Sequence, residues 1–226
     1  MQFLDRADAG RKLAELLLGY RSEEPIVLAL PRGGVAVAFE VARALRAPLD
    51  VCVVRKIGVP GQPELAMGAI AEGGAVVLDP KLMRRVGVSQ EEVAALVERK
   101  AAEVEERVAL FRGARPPLDL HGRMVLLVDD GIATGNTMLA SIKSVRARGP
   151  RTLVLAVPIA ATQAVEQMTP LVDEVVCFEE SEALGAIGYF YEDFTQVSDT
   201  QVIQLLERSR AWLGQAYDER APPSPS

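Results

Sequence analysis

Residues Arg123–Thr137 read RMVLLVDDGIATGNT, and the reading of this stretch decides the fold. Met124 to Val128 form an uninterrupted apolar run, the pattern of a strand buried on both faces, and such strands belong to parallel sheets covered by helices. Two adjacent carboxylates, Asp129 and Asp130, follow at the C-terminal end of the run, and then come small and hydroxyl residues and a helical pattern. Ligands bind at that edge of open parallel α/β sheets, so a site is expected here. Gly131 and Gly135 permit positive φ and close backbone approach, Thr134 and Thr137 carry hydroxyls, and the next helix presents free N–H groups. That combination suits a phosphate. A nucleotide triphosphatase loop would end in Gly-Lys-Ser/Thr, whereas Gly135 is followed by Asn136. The two acids suit vicinal sugar hydroxyls, and a phosphorylated ribose answers both halves of the motif.

In its order of chemical types, Val125–Thr137 resembles the phosphoribosyl-pyrophosphate (PRPP) signature of type I phosphoribosyltransferases. The resemblance implies PRPP binding by Asp129, Asp130, Gly131, Ala133, Thr134, Gly135, Asn136 and Thr137. The acids would hold the ribose hydroxyls and the loop the 5′-phosphate.

Upstream, Pro25–Leu30 reads as a buried strand that ends in Pro31-Arg32-Gly33-Gly34 ahead of a helical run from Val35 to Arg46. Arg32 can pair with phosphate oxygens, and Gly33 and Gly34 offer backbone amides. The same four residues also suit a simple strand-to-helix turn. Their place in the chain resembles the family's pyrophosphate loop, which makes Arg32 a catalytic candidate beside Asp129 and Asp130. Leu49–Val54 is a further strand that ends in Arg55 and Lys56. These two resemble basic residues that reach pyrophosphate in relatives, and they are equally readable as a solvated strand end. Ile57–Gly74 is rich in Gly and Pro, the composition of a lid or a link; by the resemblance, 55–74 is a flexible lid over PRPP. Met67–Ala71 and Ala75–Asp79 are expected as a hairpin around Gly73-Gly74.

Ser89 opens a long helix to about Arg112 with capping-box spacing, and its apolar stripe is core packing. After the signature come a helix from Asn136 to Arg148, a strand at Thr152–Val157, a helix near Thr162–Met168 and a strand at Glu174–Phe178. The alternation predicts an α/β fold: a doubly wound, mostly parallel sheet with helices on both faces. The resemblance adds a small hood subdomain, to which 179–197 would contribute. Tyr189, Phe190 and Tyr191 in that segment are candidates for stacking on a base, or else an aromatic mini-core. A single domain is expected over 1–216, with a disordered tail at 217–226.

Composition limits the function classes. A net charge of −6 and a pI near 5.0 argue against extended nucleic-acid or anionic-membrane binding. The longest uncharged apolar stretch, Thr152–Val165, is shorter than the roughly 18 residues a spanning helix needs. The N-terminus carries Asp5, Arg6, Asp8, Arg11 and Lys12 in place of a signal pattern, so a cytoplasmic location is expected. Cys52 and Cys177 read as buried thiols, and His121, the only histidine, as a surface loop residue.

The resemblance implies displacement of pyrophosphate from C1 of PRPP by a nitrogenous base. Mg²⁺ would be carried mainly by PRPP oxygens and water, with no dedicated protein ligand set. It also allows a homodimer. Hypoxanthine-guanine relatives usually place an acid at the position of Ala133 and Lys at that of Asn136, which disfavours a 6-oxopurine acceptor; adenine and orotate enzymes tolerate Ala. A non-catalytic PRPP or nucleotide regulator on the same fold is the alternative, and an α/β sugar-phosphate hydrolase a third reading.

Overall fold

In the computed structural model, which describes residues 2–218, the apolar run becomes the middle strand of a sheet. In chain order the elements begin with α1 (Arg6–Leu17), β1 (Ile26–Ala29), α2 (Gly33–Leu45) and β2 (Leu49–Val51). Next come β3 (Val54–Val59), β4 (Gln62–Ala71), β5 (Val76–Leu78), α3 (Pro80–Val86) and α4 (Gln90–Arg112). The chain continues through β6 (Met124–Val128), α5 (Asn136–Ala147), β7 (Thr152–Ala161), α6 (Thr162–Met168), β8 (Glu174–Ser181) and α7 (Asp199–Asp218). Five strands form a parallel sheet in the order β2-β1-β6-β7-β8.

Residues of β6 alternate between two apolar clusters. Leu126 and Val128 pack with Leu13, Leu17, Val35 and Val41 on one face, while Val125 and Leu127 pack with Met138, Ile142, Val145 and Met168 on the other. Helices therefore cover both faces, as the buried character of the run requires. Ser89 and Glu92 form the reciprocal capping box at the start of α4, and Ser198 and Gln201 form a similar pair before α7. Among the described residues no helix is long and apolar enough to cross a membrane. Residues 219–226 of the expected tail lie outside the described residues, whereas 217 and 218 belong to α7.

Two expectations need correction. The run Leu49–Val54 is not one strand. The chain leaves the main sheet after Val51 and enters a second, antiparallel sheet at Val54, in the order β3-β4-β5. Leu49, Val51, Cys52 and Val53 are all buried, so hydrophobicity alone gives no sign of the switch. Nor is 55–74 an irregular segment. It is mostly the β3–β4 hairpin, which turns at Pro60-Gly61 with Gly61 at φ 76°, and register shifts flank Gly58. Ile57, Met67 and Ile70 bury this hairpin in the core, while Gly and Pro serve its turn and irregularity. The expected hairpin around Gly73-Gly74 is β4–β5.

A buried ion cluster joins the two sheets. Arg112, 3% exposed at the end of α4, donates from Nε to Asp50 of β2 at 3.0 Å, and from Nη1 and Nη2 to Glu72 at 2.5 and 3.1 Å. It also reaches the carbonyl of Val51. Removing the guanidinium would leave two carboxylates facing each other with little water. Arg112→Met is therefore expected to lower the unfolding free energy by about 3–5 kcal/mol. Urea titration followed by circular dichroism measures this, and a loss below about 1 kcal/mol would contradict the coupling role.

Candidate active site

The carboxyl end of β6 delivers Asp129 and Asp130 beside the carboxyl end of β1. Leu30, just past β1, donates its backbone N–H to the carbonyl of Val128 at 3.0 Å, so the two following loops leave the sheet side by side. They touch without intervening side chains. A Cβ on Gly33 would lie 1.9 Å from Asp130 Oδ2, and one on Gly34 would lie 2.8 Å from Asp129 Oδ1. Only glycine at both positions permits this approach. The peptide between Pro31 and Arg32 is cis, and α2 begins at Gly33.

The acids are themselves held. The Asp130 backbone N–H donates to Asp129 Oδ1 at 2.8 Å. Arg6, the first residue of α1, donates from Nε to Asp130 Oδ2 at 2.7 Å and from Nη1 to the Thr195 carbonyl at 2.8 Å. Its guanidinium stacks 3.8 Å from the centre of the Phe194 ring. The Tyr191 hydroxyl donates to the Asp130 carbonyl at 2.7 Å. Burial and the adjacent Asp130 carboxylate raise the Asp129 carboxyl well above its ordinary value, against the lowering effect of the Asp130 N–H and of Arg6. Burial, with the Asp130 charge second, pushes the Tyr191 phenol upward as well, which keeps it a hydrogen-bond donor.

Beyond the acids, Gly131 fits beneath Ile159 and Ile187, and Ile132 bridges to Ala160 across the end of β7. Gly135, at φ 76°, turns the loop into α5 in a space where a Cβ would come within 2.5 Å of Met168 Cε. Thr134 and Asn136 are exposed at the start of α5, and Ala133 and Thr137 are half-buried beside them. The loop thus presents an exposed hydroxyl beside a helix N-terminus.

Arg32 and Arg55 line one cleft of about 430 Å³ together with Pro31, Arg107 and Phe111. Lys56 alternates to the other side of β3, is exposed, and is not among the residues lining that cleft. The aromatic segment divides. Tyr189 is 78% exposed, whereas Tyr191 is buried between Phe3 and Phe194 and has no free ring face for a base. Phe190 is half-buried against the same small cluster. Of the two expectations for Tyr191, base stacking or an aromatic mini-core, the second fits: its ring is core and its hydroxyl bonds the Asp130 carbonyl. The segment also pairs with the N-terminus, since the Phe3 N–H donates to the Phe190 carbonyl at 2.7 Å and the Glu192 N–H to the Phe3 carbonyl at 2.8 Å.

Sequence reading missed Arg6 and Arg107. Each lies on a helix among other charged residues, and nothing local distinguishes them from solvated positions. Cys52 and Cys177 are both unpaired, Cys52 being buried. No group of three or more His, Cys, Asp and Glu side chains arranged to hold a metal occurs among the described residues.

An acid pair and a hydroxyl-bearing loop at a helix N-terminus, at the carboxyl edge of a doubly wound parallel sheet and with a glycine loop pressed against the acids, define a phosphoribosyltransferase-like α/β protein. A family model for the phosphoribosyl transferase domain matches residues 2–193. The chain belongs to the type I phosphoribosyltransferase family. A Mycobacterium tuberculosis protein provisionally named a phosphoribosyl transferase is 45% identical over 214 residues, which are 95% of this chain and 48% of that protein. The chain thus spans about half the length of the curated relatives it matches most fully. The crystal structure of TT1426 from Thermus thermophilus is 44% identical and superposes with a TM-score of 0.79 over 92% of this chain and 99% of that one. A uracil phosphoribosyltransferase of Streptomyces coelicolor is 35% identical over 91 residues, 38% of this chain and 42% of that protein.

The raised Asp129 carboxyl has a consequence for stability. Between the unfolded value of about 3.9 and the higher folded value, the folded chain keeps a proton that the unfolded chain has released. Stability therefore falls as pH rises through that window. Asp129→Asn removes this penalty and retains an oxygen for the Asp130 N–H. The variant is expected to melt roughly 2–4 °C above wild type near neutral pH, with the difference closing as pH falls toward about 4. Thermal melts across pH check this, and a variant less stable than wild type at neutral pH would refute it.

Proposed function

We propose that this chain transfers ribose 5-phosphate from PRPP to a nitrogenous base and releases pyrophosphate. The observation that carries this reading is the contact between the Gly33-Gly34 loop and the Asp129-Asp130 pair. The same loop carries Arg32 into the cleft lined by Arg55 and Arg107, which supports a diphosphate held next to the acids that we assign to the sugar. Thr134, Gly135, Asn136 and Thr137 hold the 5′-phosphate at the N-terminus of α5, and Asp129 and Asp130 accept hydrogen bonds from the ribose hydroxyls. Arg32 and Arg55 bind pyrophosphate through charge-assisted bonds, with Gly33 and Gly34 contributing backbone amides. Lys56 is left outside this assignment by its position on β3.

In the reaction the C1–O bond to pyrophosphate breaks as the C1–N bond forms, and positive charge gathers on the sugar. The acid pair supplies negative field at that charge. Burial and the Asp130 charge oppose ionisation of Asp129, whereas positive charge developing on the sugar would favour it. Arg32 and Arg55 take up charge on the departing group. A hard cation such as Mg²⁺ fits a site whose side-chain acceptors are all oxygens. It would be held through substrate oxygens near Asp129 and Asp130 and would offset pyrophosphate charge when bound. Positioning and electrostatics supply the rate enhancement without a covalent protein nucleophile. The unpaired Cys52 and Cys177 suit a reducing, cytoplasmic setting.

The acceptor is a purine or pyrimidine base, and Ala133 and Asn136, in place of the acid and lysine usual in hypoxanthine-guanine enzymes, disfavour a 6-oxopurine. Uracil, the base in the name of the Streptomyces relative, belongs in the test panel with adenine and orotate. Base-dependent pyrophosphate release from PRPP with Mg²⁺ is the expected result. PRPP binding without turnover across the panel would assign a regulator instead, and acceptor-independent phosphate release a hydrolase. Asp130→Asn is expected to weaken PRPP binding about tenfold or more, as measured by calorimetry; unchanged affinity would remove Asp130 from the ribose role.

A further inference from the structure

The cationic cleft beside the pyrophosphate loop has a third wall. Arg32 enters it from the N-cap of α2, Arg55 from β3 and Arg107 from the C-terminal half of α4, with Phe111 alongside. Three guanidinium groups from three elements meet here, with Asp199, Glu103 and Glu106 as the acids around them. Arg55 has a donor contact to the Val54 carbonyl at 3.3 Å and only a long approach, 3.9 Å, to Glu103, whose carboxylate is taken by Lys100 at 2.7 and 2.8 Å. An adjoining cleft of about 450 Å³ shares Arg55 and Arg107 and is bordered by Glu103, Glu106 and Leu110. Burial, with the charge of Arg107 next and that of Arg32 adding to it, depresses the Arg55 guanidinium, while Glu103 and Asp199 act the other way. The arrangement is one of like charges held together ahead of an anion.

Asp199, the first residue of α7, sits against this group. Its Oδ2 accepts from Arg107 Nη1 at 2.5 Å, while its Oδ1 lies 3.7 Å from Arg32 Nη1. That Oδ1 is buried and has no hydrogen-bond donor among the described residues. The carboxylate is thus firmly bonded to one arginine and only loosely paired with the other. A diphosphate carries more charge and more oxygens than a carboxylate, and it can satisfy the forks of both arginines at once.

We propose that Arg107 is a third pyrophosphate-binding residue and that Asp199 is an internal anion which holds Arg32 and Arg107 until pyrophosphate oxygens take its place. The inference rests on the pyrophosphate assignment made for Arg32. It gives α4 and α7, both distant in sequence from the glycine loop, a part in donor binding. Asp199 would keep the arginines in position and weaken non-specific capture of single anions, because any ligand must outcompete a tethered carboxylate.

Calorimetric titration of inorganic pyrophosphate into the full chain tests this, with Arg32→Gln, Arg107→Gln and Asp199→Asn as variants. Arg107→Gln is expected to weaken pyrophosphate binding about tenfold or more, and Asp199→Asn to tighten it several-fold, with circular dichroism verifying the fold of each. If wild type does not bind pyrophosphate, the assignment of the cleft fails. If Arg32→Gln loses binding while Arg107→Gln matches wild type, that assignment stands and Arg107 is excluded. Weaker binding by Asp199→Asn would overturn the competitor role. Should Arg107→Gln not fold, Arg107→Lys decides the matter. It keeps the charge without the planar fork, so reduced affinity supports the proposal and wild-type affinity overturns it.

Discussion

Two loops that leave neighbouring parallel strands have to touch, and that constraint organises the molecule. Pairing of β1 with β6 from Ile26–Val125 to Ala29–Val128 brings their carboxyl ends into line. Asp129 and Asp130 then occupy the space where side chains at positions 33 and 34 would stand. The contact dictates glycine on one loop and gives the acids a backbone wall in place of solvent. The wall is also what makes Asp129 hard to ionise. Burial that raises its carboxyl is a cost to folding at neutral pH, a kind of cost that active sites commonly retain.

Arginines solve the remaining electrostatic problem in three places, with four acidic partners between them. Arg112 pairs with both Asp50 and Glu72 and joins the main sheet to the smaller one. Arg6 neutralises Asp130 and ties it to the Thr195 carbonyl and the Phe194 ring. Arg107 shares Asp199 with Arg32. In the first two cases a planar fork meets oxygen acceptors from separate elements, a task a lysine would do less well. The first is fully enclosed and serves architecture, whereas the other two border the loops where ligand oxygens are expected.

Sequence reading reached the centre of the main sheet because β1, β6 and β7 are apolar runs bounded by turn residues or charges. Met124–Val128 and the helix Thr162–Met168 were legible to the residue. The second sheet was not, since VCVV is buried throughout and periodicity is silent about which sheet owns a buried residue. Gly and Pro density in 57–74 pointed to a loop, yet those residues mark only the turn and an irregularity of a hairpin whose apolar positions face the core. Helix α3 went unassigned because it is short and polar. Within the site, the acids, the glycines and the hydroxyls form contiguous motifs and could be read. Arg6 meets Asp130 across 124 positions, and Arg107 meets Asp199 across 92, so neither partner carries a local sign. Tyr191 stayed open between two readings for a related reason: an aromatic cluster looks alike whether it packs on itself or waits for a ligand.

The bond from Arg6 to Asp130 makes the N-terminal end of α1 part of the wall of the site, and the pairing of Phe3 and Leu4 with residues 190–193 fixes that end in place. A chain trimmed to start at Asp8 would keep every strand of both sheets and lose the cation beside its second acid. Expression tags placed at this terminus, and comparisons between preparations that differ there, therefore bear directly on the site.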